Sequence, residues 1–157
     1  MRPSEPKPGI RRAAPPDLAA LVRLCAAHAG FERAGHDPAG HGERLEVALF
    51  SAEPRALAWV AEVGDEIIGF AAGAVEFSTW SARQFLHLDC LYIEDSHRGA
   101  GIGAALLDAV CGEARARQLE TVQWWTPAWN EQAIAFYRRH GARASERTRF
   151  ELALSER

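Results

Sequence analysis

The residues best suited to chemistry lie at a strand-to-helix corner, His97-Arg98-Gly99-Ala100-Gly101-Ile102-Gly103-Ala104-Ala105-Leu106-Leu107, directly after an apolar, β-like run from Phe85 to Ile93. Glycine lets backbone N–H groups approach a ligand without interference from a Cβ. The first N–H groups of a helix have no partner within it, and the helix dipole adds partial positive charge there. An arginine followed by three alternate glycines at such a corner predicts a cradle for a pyrophosphate. Inside the preceding strand stand two polar residues, His87 and Asp89. Regular alternation would put them on one face with Leu91, and a polar pair in an apolar strand is costly unless it serves something.

The spacing narrows the choice of pyrophosphate. A P-loop requires Lys-Ser/Thr after its last glycine, where this chain has Ala104-Ala105. A dinucleotide fingerprint belongs at the first strand with different glycine spacing, whereas this corner lies past mid-chain. A purely structural glycine turn and an acyl-CoA site remain. Arg98-x-x-Gly101-x-Gly103 after a strand resembles the signature of the GNAT superfamily of N-acetyltransferases. Trp129-Asn130-Glu131-Gln132-Ala133-Ile134-Ala135-Phe136-Tyr137-Arg138-Arg139-His140-Gly141-Ala142 resembles that family's later segment, in the expected order. Leu88-Asp89-Cys90-Leu91-Tyr92-Ile93 and the Trp before Asn130 are similar to the diamine (spermidine/spermine) and thialysine N-acetyltransferases. So are Ile10-Arg11 with Ala14 and Asp17, Phe31-Glu32, Trp80 and Phe85. Cys90 stands where that subgroup commonly has an acid, and the loop from Gly35 to His41 is not typical of it.

The resemblance implies an α/β fold with a mixed, strongly twisted sheet, a central parallel βαβ pair and flanking helices. It implies acetyl-CoA as co-substrate, with its pyrophosphate on Arg98, Gly99, Ala100, Gly101, Ile102, Gly103 and Ala104. A bulge near Asp89 to Leu91 would splay two parallel strands, so that the pantetheine arm pairs with backbone of Leu91, Tyr92 and Ile93. The Leu91 N–H would then polarise the acyl carbonyl. Asn130 and Ala133 would contact the arm, although Asn130 reads equally as a helix N-cap. Tyr137 would be the acid beside the sulfur, its alternative being an aromatic packed on Phe136. Asp89 would be the base, through a water, or the ammonium anchor, with His87 as a second candidate base or as the group that orients Asp89. Glu32 is a second acceptor anchor or a solvated loop acid. Trp124, with Trp125 and Trp129, would line an amine channel by cation–π contact, with one of Trp124 and Trp125 turned into the core. No covalent intermediate is expected, because no Cys or Ser has an evident basic partner; Cys90, as neighbour of Asp89 on a regular strand, would face away.

The rest of the chain frames this site. Its 157 residues, 48% hydrophobic and 25% charged, predict one globular domain over 9–157 after a loose tail over 1–8. A net charge of −3 favours a cationic small molecule over nucleic acid or an anionic membrane. Cys25, Cys90 and Cys111 have no metal or disulfide spacing, which suits reduced thiols in the cytoplasm. No apolar run reaches a membrane span, no secretory leader is read, and His36, Asp37 and His41 fit no metal motif, so no metal is expected. A homodimer is expected from the resemblance. Periodicity predicts a strand over 10–13 and a helix from Asp17 stopped by Gly30. A loop and a short helix over 43–50 precede strands over 56–63, 67–77 and 85–93. A helix over 102–118, a strand over 121–125, a helix over 130–140 and a closing strand over Phe150–Leu154 complete the order.

Overall fold

The unbroken apolar run from Leu57 to Ala61 is buried along its whole length in the computed structural model, which describes residues 8–154. It lies in β2 (Leu57–Val63), joined through Gly64-Asp65 to β3 (Glu66–Ser78), which pairs in turn with β4 (Arg83–Ile93). With β1 (Gly9–Arg12) and β5 (Val122–Gln123) these make a five-stranded sheet in the order β1-β2-β3-β4-β5. Every pairing is antiparallel except β4 with β5. The parallel pair is bridged by α3 (Ile102–Ala116), so the predicted βαβ unit is present, although the middle strand of the sheet is β3 rather than β4.

Helices cover both faces. On one, α1 (Leu18–Phe31) places Leu21 and Leu24 against Val60, Ile67 and Phe70, with Leu45, Leu49 and Phe50 of α2 (His41–Phe50) packed on that cluster. Strand alternation turns Trp59 and Ala61 to the other face, where Arg12 stacks on Trp59 at 4.9 Å and pairs with Glu113 of α3 at 3.2 Å. The predicted inward residues of α3, Leu106, Leu107 and Val110, are buried.

The chain divides into two compact units, Met1–Trp125, which holds all these elements, and Thr126–Arg157, which carries α4 (Glu131–Arg139). The predicted tail lies outside the described residues apart from Pro8. Three expectations are corrected. Residues Phe150, Leu152 and Leu154 alternate as predicted but form no strand, and each is more than 80% exposed. Alternation marks a face to bury, but a strand also needs a neighbouring edge to take its backbone hydrogen bonds. β5 is two residues long, not five. Gly30 does not stop α1, which runs on to Phe31; Glu32 caps it and Arg33 takes the left-handed turn at φ 57.

The entry to α1 is held by one ion pair. Asp17, 6% exposed, accepts two hydrogen bonds from Arg11 (2.7 and 2.9 Å) and one from the Ala14 N–H (2.8 Å). The Arg11 bonds hold its carboxyl below the usual range. Because the folded-state value is depressed, this stability is present above about pH 4 and is lost as pH falls through the folded value. Asp17→Ala is expected to cost about 2 kcal/mol, less than a fully enclosed pair because Arg11 is 41% exposed. Urea unfolding at about pH 7 and about pH 3 checks it: the two proteins should differ at the higher pH and converge at the lower.

Candidate active site

The register of β4 breaks at one residue. Ala72 pairs with Cys90 and Gly73 with Leu88, leaving Asp89 as the extra residue of a β-bulge. Gly73 permits the approach, since a Cβ there would run into the His87 carbonyl. The backbone hydrogen bonds record the consequence. Before the bulge, the Leu86 N–H points away from β3 and donates to Thr121 before β5 (3.1 Å); after it, the Glu94 N–H donates to Ile68 of β3 (2.9 Å). Amide direction alternates along a strand, so one extra residue exchanges the two edges. The Leu91 and Ile93 N–H groups therefore face the β5 side and that of Tyr92 faces β3. Among the described residues the ladder on the β5 side pairs only Leu86 with Val122 and His87 with Gln123. Beyond that point β4 presents an open, hydrogen-bonding strand edge.

The glycine corner follows this edge. Gly99 and Gly101 take φ 82 and 80, in the region that glycine occupies without cost. Gly101 is the N-cap of α3, so the N–H groups of Ile102, Gly103 and Ala104 point out of the helix start. No acid lies in that first turn to neutralise it. Arg98 fixes the corner: its Nε donates to the Ile93 carbonyl (2.9 Å), it pairs with Asp95 (2.8 Å), and its guanidinium lies 4.6 Å from the Phe31 ring centre and 5.5 Å from that of Tyr92. The side chain expected on a phosphate thus ties the corner to β4 and to the end of α1.

Asp89 is exposed on the bulge. The bulge also overturns the expected facing of its neighbour, because two successive side chains now share a side. The Cys90 Sγ lies 3.7 Å from Asp89 Oδ2 instead of facing away. Burial first, then the Asp89 charge, pushes the Cys90 thiol far up, and the same two causes raise Cys25 to about 11. Both thiols are protonated near neutrality, so Cys90 is no nucleophile, for a reason other than its direction. The charge of Glu32 also reaches Cys90, so two carboxylates, from the end of α1 and from the bulge, bear on one spot. Asp89 and Leu91 no longer share a face, and His87 keeps its regular pairing with Ala74.

Comparison with known proteins agrees with this geometry. A sequence profile described as "Acetyltransferase (GNAT) family" matches residues 22–142. The chain belongs to the GNAT family of acetyltransferases. It is 26% identical over 141 residues to the thialysine N-epsilon-acetyltransferase of Mus musculus, covering 85% of this chain and 82% of that one. It is 38% identical over 74 residues to the blasticidin-S acetyltransferase of Streptomyces morookaense, covering 46% of this chain and 51% of that one. The crystal structure of an aminoglycoside acetyltransferase from an uncultured soil metagenomic sample superposes with a TM-score of 0.80 at 21% identity, covering 94% of this chain and 97% of that one. The fold is the GNAT fold, this chain is a GNAT acetyltransferase, and GNAT enzymes use acetyl-CoA as co-substrate.

The family's later segment is described within its own unit. Asn130 caps α4, its side chain accepting from the Ala133 N–H (3.1 Å), so that amide is engaged in the cap. Tyr137 meets Phe136 edge-on at 5.2 Å. Trp124 and Trp125 lie beyond β5; Trp124 is half-buried and Trp125 is 64% exposed, so neither fills the core as expected. His36, in the loop before α2, meets His41, the first residue of α2, edge-on at 4.9 Å. One neighbour of a predicted site residue escaped the sequence reading: His28, whose Nε2 is 3.2 Å from Glu32 Oε1. Its i,i+4 spacing to Glu32 was the available signal, hidden because the predicted helix stopped at Gly30 and left Glu32 in a loop.

Proposed function

We propose that residues 9–157 act as one N-acetyltransferase domain that moves the acetyl group of acetyl-CoA to a primary amine of a small cationic acceptor, of polyamine or lysine-analogue type, by direct attack in a ternary complex. The bulge at Asp89 carries this reading. It opens a strand edge, turns the Leu91 and Ile93 amides toward the opening and leaves a carboxylate exposed on the bulge itself. The residues suit the co-substrate. The open edge can pair with an amide-bearing arm, and a Cβ on Gly101 would meet no protein atom within 4 Å, which leaves room over the helix start for a pyrophosphate. The similarity to the mouse thialysine enzyme supports the acceptor class.

Acetyl-CoA supplies an activated thioester carbonyl. The backbone of Leu91 and Ile93 holds the pantetheine arm, and the amides from Gly99 to Ala104 hold the pyrophosphate. The Leu91 N–H donates to the acyl oxygen. A primary amine with a pKa near 10 is neutral in only about one molecule per thousand at pH 7, a deficit of roughly 4 kcal/mol. Asp89 binds the ammonium and takes its proton through a water; Glu32 holds a second cationic group and Trp124 lines its path. Tyr137 returns a proton to the departing sulfur. We assign the working form as a homodimer, as the subgroup resemblance implies, in the cytoplasm, which three reduced thiols suit; sedimentation reading a monomer removes the dimer from the proposal.

A thiol-release assay with acetyl-CoA across diamines, lysine analogues, monoamines and aminoglycosides tests the reading. Diamines or lysine analogues should give the highest kcat/KM, and a preference for aminoglycosides contradicts the acceptor class. In the same assay Tyr137→Phe should lower kcat about a hundredfold at unchanged acetyl-CoA affinity. Wild-type turnover in that variant removes its role as acid.

A further inference from the structure

Glu32 occupies an electrostatically poor position. It caps the C-terminal end of α1, where the helix dipole is negative, and its charge, like that of Asp89, reaches Cys90. His28, one turn back, meets it. The His28 side chain is 12% exposed, its Nε2 lies 3.2 Å from Glu32 Oε1, and its ring is fixed by β4 and β3. Tyr92 stacks on it at 5.4 Å with a 30° tilt, and Phe70 meets it edge-on at 6.3 Å. An imidazole clamped by two aromatic rings has little freedom to turn, so it dictates where the carboxylate points.

We propose that His28 is a positioning residue of the acceptor site, orienting Glu32 toward the second cationic group of the acceptor. This rests on the reading of Glu32 as an acceptor anchor. Of titratable and charged groups, Glu32 beyond α1 and Tyr92 of β4 meet His28, Arg98 stacks over Tyr92, and Phe70 of β3 brings none. Neutral His28 donates one hydrogen bond and leaves the Glu32 charge available. Protonated His28 neutralises that charge and competes with the acceptor's cation. Selection for a second cationic group therefore weakens where acid charges an imidazole and recovers at higher pH.

The readout is the ratio of kcat/KM for a diamine to that for the monoamine of equal chain length, measured on the full chain from about pH 6 to about pH 8. Titration of the reacting amine and of the general base acts on both acceptors and cancels in the ratio. Wild type should show a rising ratio. His28→Gln, which keeps an N–H donor, should keep a high ratio with a flat pH profile. His28→Phe, which keeps the stacking, should lower the ratio about tenfold, through KM for the diamine. Glu32→Gln should abolish the preference in any background. If Glu32→Gln does so while both His28 variants keep the wild-type ratio and profile, His28 has no positioning role and the Glu32 reading stands. If Glu32→Gln leaves the ratio intact, the Glu32 reading fails and the role of His28 falls with it.

Discussion

Gly101→Val should lose acetyl-CoA binding by at least about a hundredfold while the protein stays folded. Gly101 sits at φ 80 as the N-cap of α3. A β-branched residue there carries left-handed strain of roughly 1–2 kcal/mol, a cost a domain with a buried core of this size tolerates. Beyond that strain the fold leaves room, since a Cβ at this position meets no atom outside the neighbouring residues within 4 Å. The loss therefore falls on the ligand: an isopropyl group would stand in the open space over the α3 N–H groups and keep a pyrophosphate from their reach. Calorimetric titration with acetyl-CoA, beside a thermal melt, separates the two effects. A Gly101→Val protein that melts a few degrees early and does not bind acetyl-CoA fits the account. One that binds as wild type removes the glycine corner from the donor site.

Asp89→Asn should lower kcat/KM for cationic amines by about 10²–10⁴-fold and leave acetyl-CoA affinity unchanged. The substitution keeps size and shape, so the bulge should persist; what disappears is the charge that holds an ammonium and the oxygen that accepts its proton. A second, independent readout lies in the thiols. Burial is the first cause of their elevation and the Asp89 charge the second. Removing that charge should lower the titration of Cys25 from about 11 and speed its alkylation, whatever happens to activity. Faster alkylation with normal turnover would show Asp89 to be an electrostatic neighbour of the thiols with no part in catalysis.

Much of the fold was legible because local signals agreed. The apolar run of β2, the turn at Gly64-Asp65, the glycine-opened α3 and its inward stripe of Leu106, Leu107 and Val110 each have one reading. The bulge does not announce itself in this way. Leu88-Asp89-Cys90-Leu91-Tyr92-Ile93 read as a regular strand puts Cys90 opposite Asp89, and only the family resemblance pointed to a break. The pairing partner carries the decisive clue, Gly73, where a side chain would strike the His87 carbonyl, and no periodicity within β4 reveals that. The C-terminal Phe150–Leu154 fails in the opposite way: a clean alternating pattern takes no strand pairing among the described residues. Arg98 has a structural part besides its place in the motif. Its bonds to Ile93 and Asp95 and its ring contacts with Phe31 and Tyr92 brace the corner. His28 went unread because a histidine on an apolar helix face is ordinarily a packed side chain; its importance depends on Tyr92 and Phe70, residues distant in sequence.

Site-resolved amide hydrogen exchange with and without acetyl-CoA tests the central claim most directly. If the donor lies along the edge opened by Asp89 and under the glycine corner, the Leu91 and Ile93 amides and those from Gly99 to Ala104 should gain protection. The Tyr92 amide, already turned to β3, should change little. Saturating acetyl-CoA that leaves Leu91 and Ile93 exchanging as in the free protein would contradict the account.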